Sequence, residues 1–124
     1  TIAGCGGSGI DQVGCHGGVI AGCQLSDCLS NGVQCKGGSA DIEIRQNRFT
    51  NAGYRGVNVG GSTGYEFFRP PLSTTEPNVE ARDIRVLAND NELLVQAGVF
   101  LSHADEISDL VVGVHDCDVT SPSR

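Results

Sequence analysis

A chain of 124 residues carries one domain, with burial scaling for one core. Its 18 Gly, four Phe and two Tyr, with no Met and no Trp, leave Val, Ile, Leu, Ala and Cys to fill that core, a palette that favours short strands and tight turns over helices. A formal charge of −7 without a Lys/Arg run argues against nucleic-acid binding, and no stretch nears the ~18 consecutive apolar residues of a membrane span.

No charged-then-apolar leader opens the chain, and a start at Thr1 without any Met leads us to expect an excised or processed piece, either a fragment of a longer solenoid or one lacking its caps. Residues 1–124 are read as a single domain.

Taken along the chain, the elements repeat. Ser8-Gly9-Ile10-Asp11 matches Asn31-Gly32-Val33-Gln34 at a shift of 23. "CQLSDCLSNGVQCKGG" (23–38) slides by 24 onto the stretch from Asn47, so that Leu25 falls on Phe49, Val33 on Val57 and Cys35 on Val59. A shift of 42 then carries Asp41-Ile42-Glu43-Ile44 onto Asp83-Ile84-Arg85-Val86, Asn47 onto Asn89, and Val57-Asn58-Val59 onto Val99-Phe100-Leu101. That shift is one unit plus an insertion of about 18 residues, which must lie between Gly61 and Ala81. A last shift of 26 places Asp83-Ile84 on Asp109-Leu110 and Asn89 on His115.

A unit of about 24 residues with two or three period-2 strands and Gly or Asn corners predicts a coil of a parallel β-solenoid, with equivalent positions stacked about 4.8 Å apart. An antiparallel sandwich would show hairpin turns every ~8–12 residues without such a register. We therefore expect an all-β, right-handed parallel β-helix of about four to five coils, with one long loop at 62–81. Gly53, Gly56, Gly60 and Gly61 are expected at corners, and Val57 and Val59 inside, with Asn58 pointing out. Cys23, Asn47, Asn89 and His115 form a corner column, where Asn tolerates the left-handed region and its amide bonds to its counterpart in the next coil.

Six Cys occur (Cys5, Cys15, Cys23, Cys28, Cys35 and Cys117) without a CxxC pair, which favours small buried hydrophobes over a zinc site. A shift of 23 places Cys5 over Cys28, within the Cα separation a disulfide accepts, and that pairing is expected.

The stretch "NGVQCKGGSADIEIRQNRFTNAGYRGVNVGGSTG", followed by "FFRP" and "EARDIRVLAN", resembles bacterial right-handed parallel β-helix repeat proteins over roughly residues 8–90. The resemblance implies an exported protein, secreted or periplasmic. Its wider relatives include polysaccharide lyases, hydrolases, epimerases and phage tailspikes, and fold alone does not choose among them. β-Helical lyases resemble a Lys-Ser, Asn-Thr-Phe, Arg-His-Gly pattern. Here Lys36 precedes Gly37, Asn47-Arg48-Phe49 fits the middle element, and Asn58-Val59-Gly60 stands in the Arg-His-Gly slot.

The insertion "STGYEFFRPPLSTTEPNVEA" (62–81) gathers Tyr65, Phe67, Phe68, Arg69 and three of the four Pro; loops this long are usually functional or disordered. Tyr65 and Phe68 are candidates to stack on a sugar ring, with the alternative that the two Phe pin the loop to the wall. Gln34, Lys36, Arg55, Asn58 and Arg69 complete a candidate ligand face beside Asp11, where Lys36 or Arg55 would meet a uronate carboxylate. If catalysis occurs, Lys36 and Arg55 are the candidates for lyase chemistry. Asp11, Glu43, Glu66 and Asp83 are the carboxylates for a glycosidase. No cofactor is expected; Asp90, Glu92, Asp116 and Asp118 offer the one calcium reading. The leading expectation is an extracellular polysaccharide- or oligosaccharide-binding module. Its rival is a structural module that self-associates through its ends or side ladder.

Overall fold

The structure, a computed structural model, describes residues 1–61, 63–75, 78–92 and 97–101. The first coil carries β1 (Ile2–Ala3), β2 (Ile10–Val13) and β3 (His16–Ala21). The second carries β4 (Gln24–Ser26), β5 (Asn31–Lys36) and β6 (Ser39–Arg45), and the third β7 (Arg48–Thr50), β8 (Arg55–Val59) and β9 (Ala81–Leu87). The fourth begins with β10 (Asp90–Glu92) and β11 (Ala97–Leu101).

Each strand pairs in parallel with its equivalent one coil away, giving three sheets in the orders β1-β4-β7-β10, β2-β5-β8-β11 and β3-β6-β9. Three parallel sheets wound by successive coils make a right-handed parallel β-helix. The register is the one read from the repeat: Leu25 pairs with Phe49, Val33 with Val57, Ile42 with Ile84 and Val57 with Val99. Asn31 pairs with Arg55 but Ser39 with Ala81, so the whole insertion falls between β8 and β9. The proposed matches at Asp109-Leu110 and His115 lie outside the described residues.

Inside, Leu25 stacks on Phe49, Val33 on Val57, Cys35 on Val59, and Ile44 on Val86, all fully buried. Each such burial contributes about 1.5–3 kcal/mol before the ordering entropy of the chain is counted. The first coil is thinner: Ile20 is buried while Val19 and the whole of His16–Gly18 are exposed. Periodicity did not reveal β3, because "HGGVIA" has one inward side chain, Ile20, where β6 has Ile42 and Ile44.

Two expectations about corners change. Gly56 lies within β8 rather than at a corner; Gly32 and Gly56 stack in the strands, and a Cβ on Gly32 would overlap the Phe49 ring and the Gly56 carbonyl. The Asn column is real, but the left-handed residue is the one before each Asn, Gln46 at φ 56° and Ala88 at φ 53°. Asn is selected at this corner by its amide alone. Asn47 Oδ1 accepts the Cys23 N–H at 3.0 Å while its Nδ2 donates to the Ile20 carbonyl at 3.0 Å.

Candidate functional site

The insertion folds back along one edge of the solenoid as a strap. Residues Tyr65–Phe67 form a single 3-10 turn, and the Arg69 N–H then donates to the Gly37 carbonyl at 3.0 Å. His16 Nε2 lies 2.8 Å from the Arg69 carbonyl and 3.0 Å from that of Gly38; two acceptors assign the ring hydrogen to Nε2. The strap passes so close to the second coil that a Cβ on Gly38, itself at φ 90°, would run into the Arg69 backbone.

Glu80 closes the strap. Its side chain is buried, and Oε1 accepts both the Gly37 N–H at 2.9 Å and the Thr63 hydroxyl at 2.8 Å. Its carbonyl takes the Gly38 N–H at 2.8 Å. One carboxylate thus ties the start of the loop, its end and the corner of the neighbouring coil together.

A pocket of ≈ 310 Å³ opens where the strap leaves the wall, lined by Val13, Lys36, Thr63, Gly64 and Phe67. Lys36 Nζ lies 3.9 Å from the Asp11 carboxylate, a long contact that leaves its remaining donors to another partner. Phe67 of the pocket lining is exposed, and Tyr65, which follows Gly64 in the chain, is 80 % exposed. A second cavity of ≈ 350 Å³ lies on the other flank, between Gly38, Phe68, Pro70, Pro71, Val79 and Arg82.

The expected ligand residues do not all gather here. Lys36 lines the pocket and Tyr65 follows the lining residue Gly64 in the chain, but Phe68 is 6 % exposed and turned to the wall, the pinning role rather than the stacking one. Arg69 is exposed, yet its Nη1 donates to the Glu66 and Phe68 carbonyls at 3.0 and 2.6 Å, which stiffens the strap. Asn58 does not face solvent: it is 4 % exposed, stacked on Gln34. Gln34 in turn accepts from Asn31 Nδ2 at 3.3 Å and donates to the Gly60 carbonyl at 3.3 Å. Arg55 pairs in register with Asn31 and is half-buried. Gln34, Arg55 and Asn58 therefore belong to a polar ladder in the wall, with Lys36 at its accessible margin.

The other residues of the lyase-like and glycosidase patterns lie away from the strap pockets. Asn47 and Phe49 of the Asn-x-Phe element are a buried corner amide and a core ring. Asp11 is on β2, Glu43 on β6 and Asp83 on β9, and none lines either strap pocket. Glu43 is bonded by Arg45 Nε at 2.8 Å and by Arg85 at 3.4 Å, which holds its carboxyl below the usual range. Asp90 and Glu92 pair with Arg48, and Asp116 and Asp118 lie outside the described residues. Among the described residues no cluster of three or more metal-ligating groups occurs.

Cys5 and Cys28 are brought opposite each other on neighbouring coils as free thiols. Burial, then the neighbouring Cys5, pushes the Cys28 thiol up. Cys117 lies outside the described residues. Glu80, Thr63 and His16 escaped sequence reading because nothing in one chain distinguishes a carboxylate or hydroxyl that a loop folds onto.

A parallel β-solenoid whose long insertion straps one edge is, as a class, a right-handed parallel β-helix. A family model described as "Right handed beta helix region" matches residues 1–68, and the chain belongs to that family. No curated protein and no solved structure matches it significantly. No helix among the described residues is long and apolar enough to cross a membrane.

Proposed function

We propose that this chain is an extracellular polysaccharide-binding β-helix module of a polysaccharide-active protein, gripping an acidic sugar where the strap meets the wall. The observation that carries the reading is the ≈ 310 Å³ pocket that sets the Lys36 ammonium beside Phe67, with Tyr65 exposed next to it. A uronate offers both matching parts: a carboxylate for Lys36 and an apolar ring face for the aromatic. Binding without catalysis is supported by the absence of Asp11, Glu43 and Asp83 from the lining of both strap pockets.

Calorimetric titration with uronate oligosaccharides tests it. Saturable binding that weakens about tenfold in Lys36→Ala, and again in Tyr65→Ala, is the expected result. Unchanged binding in both variants would place the site elsewhere. Appearance of unsaturated product by ultraviolet absorbance would instead make the chain a lyase.

A structural, self-associating module is the second reading, favoured by the burial of Phe68 and by β1, β2 and β3 each ending its sheet among the described strands. Concentration-dependent sedimentation that ignores added glycan supports it over the first.

A further inference from the structure

The corner that follows β1, β4 and β7 repeats one conformation in three coils. Gly4, Asp27 and Asn51 hold left-handed φ values of 70°, 55° and 49°, and the N–H of Asp27 donates to the Thr50 carbonyl of the next coil at 3.2 Å. This backbone stands the Asp27 and Asn51 side chains outward, one above the other, with Asn51 Nδ2 donating to Asp27 Oδ1 at 2.9 Å. A cleft of ≈ 460 Å³ opens beside them, lined also by Leu29, Tyr54 and the Cys5–Cys28 thiols.

Tyr54 is 51 % exposed, and Leu29 next to it is exposed too. The Tyr54 backbone is anchored by its N–H on the Ser30 carbonyl at 2.8 Å. Gly53 before it, at φ 77°, packs so closely on Ser30 that a Cβ would overlap the carbonyl. The cleft thus offers an aromatic on an anchored backbone, an apolar neighbour, and a carboxylate and amide already aligned by their mutual bond. No Lys or Arg is among its lining residues.

We infer that this corner is a second binding site, distinct from the Lys36 pocket, for an uncharged pyranose. The chemistry selects the occupant. Asp27 Oδ2 and Asn51 Oδ1 accept from adjacent sugar hydroxyls, the amide also donates, and the Tyr54 ring covers the apolar sugar face. The Asp27 carboxylate, in a cleft lined by no Lys or Arg among the described residues, repels a uronate or a phosphate. The inference does not rest on the Lys36 reading, since the residues and the charge preference both differ.

The chain has two Tyr and no Trp, so in a Tyr65→Phe background Tyr54 is the one source of tyrosine emission. Titration of that protein, kept reduced, with neutral gluco-, manno- and galacto-oligosaccharides should give a saturable change in tyrosine emission with at least one of them, and none with uronate oligosaccharides. By calorimetry on the otherwise native chain, Tyr54→Ala should weaken binding tenfold or more. Tyr54→Phe, which keeps the ring, should bind within threefold of the parent, and Asp27→Asn should admit the uronate. Circular dichroism checks that each variant keeps its β signal. Lys36→Ala should leave the neutral-sugar response in place, so loss of uronate binding there and loss of neutral-sugar binding in Tyr54→Ala report on the two sites separately. The inference is overturned if no neutral sugar in the panel gives a saturable signal, if binding survives Tyr54→Ala, or if uronates or a simple alkylammonium elicit the Tyr54 response as strongly as the sugar.

Discussion

The side-chain carbonyl of Asn89 accepts both the main-chain N–H of Asn47, at 3.0 Å, and its side-chain amide, at 3.1 Å. Asn89 Nδ2 meanwhile donates to the Ile44 carbonyl at 3.0 Å, just as Asn47 Nδ2 does to Ile20 one coil below. The ladder thereby supplies partners to the Cys23 and Asn47 N–H groups and to the Ile20 and Ile44 carbonyls at the bend. Asn47→Ala would strand the Cys23 N–H and the Ile20 carbonyl in a buried corner. The expected loss is about 2–4 kcal/mol at roughly 1–2 per orphaned group, measured as a lower denaturant midpoint with an unchanged slope. An unchanged midpoint would mean that water replaces the amide.

Glu80 is the residue on which the strap depends, because one oxygen holds Gly37 and Thr63 together. Glu80→Ala should speed amide exchange across residues 63–80 by about tenfold or more, as the two hydrogen bonds that Oε1 accepts carry about 1 kcal/mol each. The core strands β5 and β6 should keep their protection. Glu80→Gln retains an acceptor oxygen and should fall between the two. Uniform loss of protection over the whole chain in Glu80→Ala would show that the strap is part of the global core.

How much of this was written in the sequence differs between wall and strap. The stacked core was readable, since Val33 and Val57 repeat at the spacing of a coil, Ile42 and Ile84 at that spacing plus the insertion, and no helix fits their period. The polarity of the wall was not: Asn58 has an outward register, but a side chain stacked on Gln34 is buried by its neighbours, and a one-dimensional pattern cannot show what covers an outward position. Phe68 was legible as one of two alternatives, and the fold-back of the strap decides between them. Glu80 and His16 act through contacts 43 and 53 residues away in sequence, and no local spacing encodes these. Tyr54 and Asp27 sat inside the repeat in plain view, yet their cleft exists through the stacking of three coils.

The free Cys5 and Cys28 thiols face each other across the first and second coils. Oxidation by a disulfide reagent would proceed by attack of one thiolate on the reagent, then displacement by the second, releasing two reduced thiols and leaving the cross-link. A closed loop of about 24 residues predicts a stabilisation of about 3 kcal/mol in the chain-entropy treatment. Non-reducing peptide mapping should find the Cys5–Cys28 link after exposure to oxidised glutathione, with a higher melting temperature that reductant reverses. Both thiols free under those conditions would remove the pairing.

Cys35 is fully buried in the column with Val59, and burial, then Cys15 and Asp11, pushes its thiol up to about 12 from 9.0. In the unfolded chain the thiol ionises near 9, so between pH 9 and 12 the native state holds a proton that the unfolded state has lost. Stability from this group is therefore undiminished below pH 9 and declines as the pH rises through that window. At about pH 10.5 the loss amounts to about 2 kcal/mol, from ~1.4 kcal/mol per unit. Cys35→Val, which copies the Val59 position of the next coil, removes the titrating group and should flatten that part of the curve. Denaturant unfolding of both proteins at pH 8 and pH 10.5 reads the difference, with the parent losing about 2 kcal/mol more than the variant on the rise. Parallel losses in the two proteins would show that Cys35 is already reached by water in the native coil.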